Sequence, residues 1–131
     1  MTAARPAPPR MSPLNLALRF ALEVAALAGI FAGVQQMLSM SSTMATLAAA
    51  AAVLLAMVCW GVFNVEGDPS RSGRAPVAVA GGVRLSVELA VFAAGAAGWS
   101  TSSLPVAGTF VGLTVVHLVA SHRRLRWLLR A

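Results

Sequence analysis

Lysine is absent from this chain, and acids are scarce. The ten basic residues are all arginines, and four acids oppose them, for a formal net charge of +6. Only 11% of residues are charged, where an ordinary soluble domain carries about 25%. That shortage excludes a typical soluble globular domain. The arginines fall between oily segments and build no basic domain, so no nucleic acid is expected as a partner. Anionic lipid headgroups suit them better. Cysteine is nearly missing too. Cys59 stands alone, which rules out an internal disulfide. It lies in an apolar run with no neighbouring cation to activate it, as a small buried hydrophobe would. A glycine-rich phosphate loop, a catalytic triad and a thiol motif are all lacking, so the chain does not read as an enzyme. His117 and His122 are five apart and have no third ligand beside them, so neither a metal nor another cofactor is expected.

What is present is apolar. Hydrophobic residues make up 58% of 131 positions, in recurrent stretches about as long as a bilayer crossing requires, roughly 20 residues. Residues 1–12, MTAARPAPPRMS, are rich in proline and alanine and read as a disordered cytoplasmic tail. The run that follows is too long for a signal peptide and contains Arg19 and Glu23, so it reads as a retained span. A four-span transmembrane domain is expected over residues 13–121, with spans at about 13–38, 43–64, 83–100 and 105–121. Ser12 suits an N-cap and Pro13 a first helical position. Residues 39–44 and the STSSLP stretch read as short polar turns, and residues 65–82 as the longest loop. Residues 122–131 read as a basic amphipathic cytoplasmic tail lying along the headgroups.

Arginine placement orients the spans. Arg5, Arg10 and Arg19 precede or open the first span. Arg71, Arg74 and Arg84 lie between the second and third, and Arg123, Arg124, Arg126 and Arg130 follow the fourth. The other two turns carry no charge. Positive residues mark the cytoplasmic side, which puts both termini and the long loop in the cytoplasm of a multi-pass protein. Trp60, Trp99 and Trp127 fall near the expected interfaces and read as lipid anchors there.

The chain repeats itself at an offset of 65. Arg19 aligns with Arg84, Glu23 with Glu88, and Gly33 with Gly98. The fold class expected is therefore all-α: a four-helix bundle of two helical hairpins related by a pseudo-twofold axis. Gly29 and Gly33, Ala94 and Gly98, and Gly108 and Gly112 form small-residue pairs four apart. Such pairs let helices approach closely, either within one copy or in a homodimer.

Arg19 precedes Glu23 by four, and Arg84 precedes Glu88 by four. Each pair shares a helix face, in the order that suits the helix dipole less well. A role across helices explains more, pairing Arg19 with Glu88 and Arg84 with Glu23. His117 falls in the same layer. Arg19, Glu23, Arg84, Glu88 and His117 thus form a candidate intramembrane polar cluster. It reads either as a salt-bridged lock on helix register or as a proton or small-solute site. Asp68-Pro69-Ser70-Arg71 reads as an Asx-type turn or a helix cap, or as a loop that holds phosphate or headgroups.

Several segments carry a resemblance. LNLALRFALEVAALA, CWGVF, GDPSRSGRAPV and VRLSVELAVF, in this order and spacing, resemble the YrdB-like family of small four-span bacterial membrane proteins, which carry a domain of unknown function. The resemblance covers roughly residues 14–121. Arg19, Glu23, Trp60, Arg84 and Glu88 match its recurrent pattern, and it implies an integral protein of the bacterial cytoplasmic membrane with no reaction or ligand assigned. The expected role is non-catalytic, structural or partner-binding. The alternative is an oligomeric transporter or channel subunit coupled through the Arg/Glu/His cluster.

Overall fold

The computed structural model describes residues 7–38 and 42–131. The expectations for residues 1–6 of the tail, Arg5 included, and for residues 39–41 of the first turn lie outside the described residues. The described chain is almost entirely helical: α1 (Pro13–Met37), α2 (Thr43–Val62), α3 (Gly81–Ser100), α4 (Leu104–Ala120) and α5 (His122–Leu128). Two short strands, β1 (Phe63–Asn64) and β2 (Val77–Ala78), pair in parallel at the two ends of the long loop.

Three helices start with the same device. The side-chain oxygens of Ser12, Ser42 and Ser103 accept the N–H groups of Asn15 (3.2 Å), Ala45 (3.0 Å) and Val106 (3.4 Å). Each satisfies a donor that the first turn leaves free. α3 has no side-chain cap. Its first residue, Gly81, instead packs against the backbone of Leu128 at the end of α5, in space that a Cβ would fill.

α1 packs most extensively on α3 and next on α2. The contacts between α1 and α3 ascend together: Arg19 meets Glu88, Ala26 meets Gly95, and Gly33 meets Gly98. The two helices therefore run in the same direction. Glycine permits their approach. A Cβ on Gly33 would lie 2.6 Å from the Cα of Gly98, and one on Gly98 would overlap the backbone of Gly29. Of the six expected small-residue positions, Gly29, Gly33 and Gly98 lie in this contact. Ala94 does not; it is exposed, and the contact uses Gly95, one residue on. Gly108 and Gly112 point away from the rest of the described chain, since a Cβ on either meets nothing within 4 Å.

Leu22, Ala26, Trp60, Val91, Phe92 and Phe110 form the main core. The rings of Trp60 and Phe92 meet edge-on at 5.3 Å. Outside this core the usual distribution is inverted. The three largest fully buried side chains are Arg19, Arg84 and Arg124, whereas Phe20, Leu54, Leu55, Leu104 and Val119 are exposed. Arginine is almost never fully buried without a partner, and each of these three has one. By length and composition α1, α2 and α3 are each able to cross a membrane. α4 and α5 qualify only together and are bent by 72° at their break. These features are compatible with a membrane protein.

Candidate functional site

The charged residues gather where α1, α3, α5 and the long loop converge. Glu88 is at the centre and has no exposure. Arg19 of α1 donates to it from Nη1 to Oε1 at 2.8 Å and from Nη2 to Oε2 at 3.1 Å. Arg124 of α5 donates to the same two oxygens, from Nη1 at 3.1 Å and Nη2 at 3.0 Å. A carboxylate offers about four lone-pair positions, so two planar guanidiniums, each with parallel N–H groups, saturate this one.

Arg124 holds a second acid. Its Nε and Nη2 donate to the Asp68 carboxylate at 2.8 and 2.7 Å. Asp68 also accepts the Ser70 N–H at 3.0 Å, which closes an Asx turn and fixes the loop. Burial alone would raise the Asp68 carboxyl, but the hydrogen bonds and charge of Arg124, helped by Ser70, outweigh it and hold the group at about 2. Arg124 gains reciprocally. Burial works against its charge, yet Asp68 and Glu88 hold it above the ordinary arginine value.

Glu23 lies at the edge of the cluster, 21% exposed, with Arg19 Nε 3.0 Å from its Oε1. Arg71 of the loop stands 4.0 Å from the same oxygen, beyond hydrogen-bonding distance. Burial, reinforced by repulsion from Arg19, lowers the Arg71 guanidinium below its usual value. Arg84 is not paired with Glu23, as the repeat leads one to expect. Its Nη1 donates to the carbonyls of Trp60 (2.7 Å) and Phe63 (2.9 Å), where α2 ends. Those carbonyls lack partners within the helix and carry the negative end of its dipole, so a cation is drawn to them. His117 also stands apart from the ion pairs. Its Nδ1 lies 2.8 Å from Asn15 Oδ1, and Asn15 Nδ2 donates to Ser121 Oγ at 2.8 Å, a polar chain that ties α1 to the end of α4.

Trp60 and Trp127 do not face outward as lipid anchors. Trp60 is 5% exposed and carries three guanidiniums, Arg19, Arg71 and Arg84, at 5.4 to 5.7 Å from its ring. Their attraction to the π face, and the pull of Phe92 on the ring edge, take the indole inside. Trp127 packs with Val65 and Leu128 in a second small core. Trp99 is half-buried and donates from Nε1 to the Ala25 carbonyl at 2.9 Å, bracing α3 on α1. The C-terminal segment likewise is not a free surface helix. Arg124, Trp127 and Leu128 face inward, while Arg123, Arg126 and Arg130 remain exposed.

The expected cluster thus divides. Arg19, Glu23 and Glu88 meet directly, Arg84 joins through Trp60, and His117 sits in a separate chain. Arg124 and Asp68 lie outside the expected polar cluster: Asp68 is expected only in an Asx-type turn, which it forms with Ser70, and Arg124 only as a tail cation. A signal for Arg124 existed: it lies three and four residues before Trp127 and Leu128, on the apolar face of that helix. Among the described residues no group of three His, Cys, Asp or Glu is placed to hold a metal.

A family model described as "Protein of unknown function (DUF2568)" matches residues 17–116. The chain belongs to this family. It is also 38% identical over 121 residues to "Uncharacterized protein YrdB" of Bacillus subtilis (strain 168), covering 92% of this chain and 97% of that one. No solved structure matches. The matched family segment contains Arg19, Glu23, Asp68, Arg84 and Glu88 and stops short of His117 and Arg124.

Proposed function

We propose that this family member is a non-catalytic integral protein of the bacterial cytoplasmic membrane. It crosses four times, with both termini and the long loop in the cytoplasm, and its buried charges lock the helices so that the outer surface can serve a partner or the surrounding lipid. The observation that carries this reading is the saturation of Glu88. A carboxylate that accepts four hydrogen bonds from two arginines has no free position for a proton or a solute, and it joins α1, α3, α5 and, through Arg124, the loop. Breaking such a pair leaves a buried charge uncompensated, so it holds register strictly.

The two-hairpin arrangement draws support from Gly33 and Gly98, which are equivalent in the repeat and touch one another. Equivalent residues meet only near an axis relating the halves. The charged end departs from that symmetry: Arg19 pairs with Glu88, while Arg84 turns to α2 carbonyls.

A second reading, an oligomeric transporter or channel subunit, is favoured by one feature. Glu23 is incompletely paired and lines a cavity of 260 Å³ between α1 and α2. Reconstituted protein separates the two. Under the lock reading, liposomes show no solute-coupled proton flux, and Glu88→Gln lowers thermal stability sharply. Flux that disappears in Glu23→Gln overturns it. Reporter fusions test topology: a C-terminal reporter outside the cell would sink the four-span arrangement.

A further inference from the structure

We propose that the groove between α1 and α2 binds an anionic membrane phospholipid, with its phosphate at Arg71 and Trp60 and an acyl chain along the apolar wall. This rests on the membrane reading above. The groove encloses 260 Å³. Its wall is Phe20, Val24, Leu27 and Met57, with Val91 of α3 behind them; Phe20 is 68% exposed and opens the groove outward. Its polar lining is Trp60, Arg71 and Glu23.

The polar atoms there call for an acceptor. Trp60 Nε1 and Arg71 Nε, on two side chains that line the groove, are buried donors with no hydrogen-bond partner among the described residues. A buried donor without an acceptor is costly, and the cost is removed by a ligand that accepts. Charge points the same way. Arg19, Arg71, Arg84 and Arg124 face Glu23, Asp68 and Glu88 across this region, which leaves one positive charge over. Arg71 is the most exposed of these cations, and its sole carboxylate neighbour in the groove is 4.0 Å away and already held by Arg19. A lipophilic cation fits poorly, because the Trp60 ring already carries three guanidiniums. A second copy of a chain with net charge +6 would add to the surplus rather than neutralise it. Trp60 lies two residues from the end of α2, about 3 Å along the axis, at the level where headgroups sit.

The test uses the full chain in phosphatidylcholine nanodiscs with a minor fraction of phosphatidylglycerol. Bromine is placed on the acyl chains of one lipid or the other, at equal mole fraction. The quenching lost in Trp60→Phe is the share due to Trp60. That share is expected to be about fivefold greater per brominated phosphatidylglycerol than per phosphatidylcholine, the bias one arginine near the surface supplies. Arg71→Gln abolishes the preference, Glu23→Gln strengthens it, and Leu27→Phe, which fills the groove and keeps Arg71, weakens it. Equal quenching by the two lipids, or a preference that survives Arg71→Gln, overturns the lipid site and leaves the membrane reading standing. No quenching of any tryptophan by either lipid overturns both. In a Cys59→Ser background, efficient Phe20→Cys cross-linking between copies, with Trp60 shielded from both lipids, also overturns the site in favour of a dimer.

Discussion

Glu88 and Arg124, 36 residues apart, share two hydrogen bonds at 3.0 and 3.1 Å inside the protein. Neither side chain reaches solvent. The carboxylate belongs to α3, and the guanidinium to a short helix that turns back by 72° after α4.

Glu88→Gln leaves two buried guanidiniums facing a neutral amide. Removing one partner of a buried pair costs about 3–5 kcal/mol, so a large fall in thermal midpoint is expected in detergent. Arg19→Gln combined with Glu88→Gln recovers part of the loss. Additive losses in the double variant would show that the two groups are not coupled.

Arg124→Gln releases the loop. The amides of Gly67 and Arg71, which donate to Gly73 and Asp68 carbonyls, lose their support when Asp68 loses its clamp. Hydrogen exchange across residues 66–73 rises, while exchange at the Gly29–Gly98 contact stays slow. Unchanged exchange in the loop would mean the Asx turn holds it unaided.

The Asp68 carboxyl is held at about 2, below its ordinary 3.8. A depressed acid contributes stability that is complete above the unfolded value and is lost as pH falls through the folded one. Stability on the order of 2 kcal/mol therefore drains away between about pH 4 and pH 2. Asp68→Asn removes that part of the acid dependence, which acid unfolding followed by circular dichroism can measure.

Gly98→Ala places a Cβ on the backbone of Gly29. Neither side has a flexible end that can yield, so the helices must part, at about 1–3 kcal/mol. Gly112→Ala meets nothing within 4 Å and replaces a poor helix former inside α4, so it should raise stability, by up to about 1 kcal/mol. Thermal denaturation of the pair checks both. Equal effects would remove the glycine contact as an explanation for the close approach.

The helices were legible because their signals are local. Ser12 before Pro13, the apolar runs, and the Gly/Pro/Ser loop each act within a few residues. Arg19 with Glu88 was legible through the repeat, since two like charge pairs on parallel helices can cross. Arg84 was misread for a physical reason. Symmetry of sequence places it opposite Glu23, but the free carbonyls at the end of α2 compete for it and win. Trp60 was misread because an aromatic near a span end has a ready explanation at the interface. Sequence does not reveal that three arginines converge on its ring. Arg124 looked like one of four tail cations; its burial depends on a bend that returns α5 to Asp68.

The buried hydrogen bonds tie the first half of the chain to the second. Cut within the long loop, the chain falls into a piece with Arg19 and the Trp60 carbonyl and a piece with Glu88, Arg84 and Arg124. Each piece keeps one internal ion pair, Arg19 with Glu23 and Glu88 with Arg124, but loses the Arg19–Glu88 bonds and the seat of Arg84 on the carbonyls that end α2. Those severed bonds re-form only when the two pieces meet, so separately produced fragments are expected to stabilise one another. In that sense the protein is a heterodimer whose two subunits share one polypeptide.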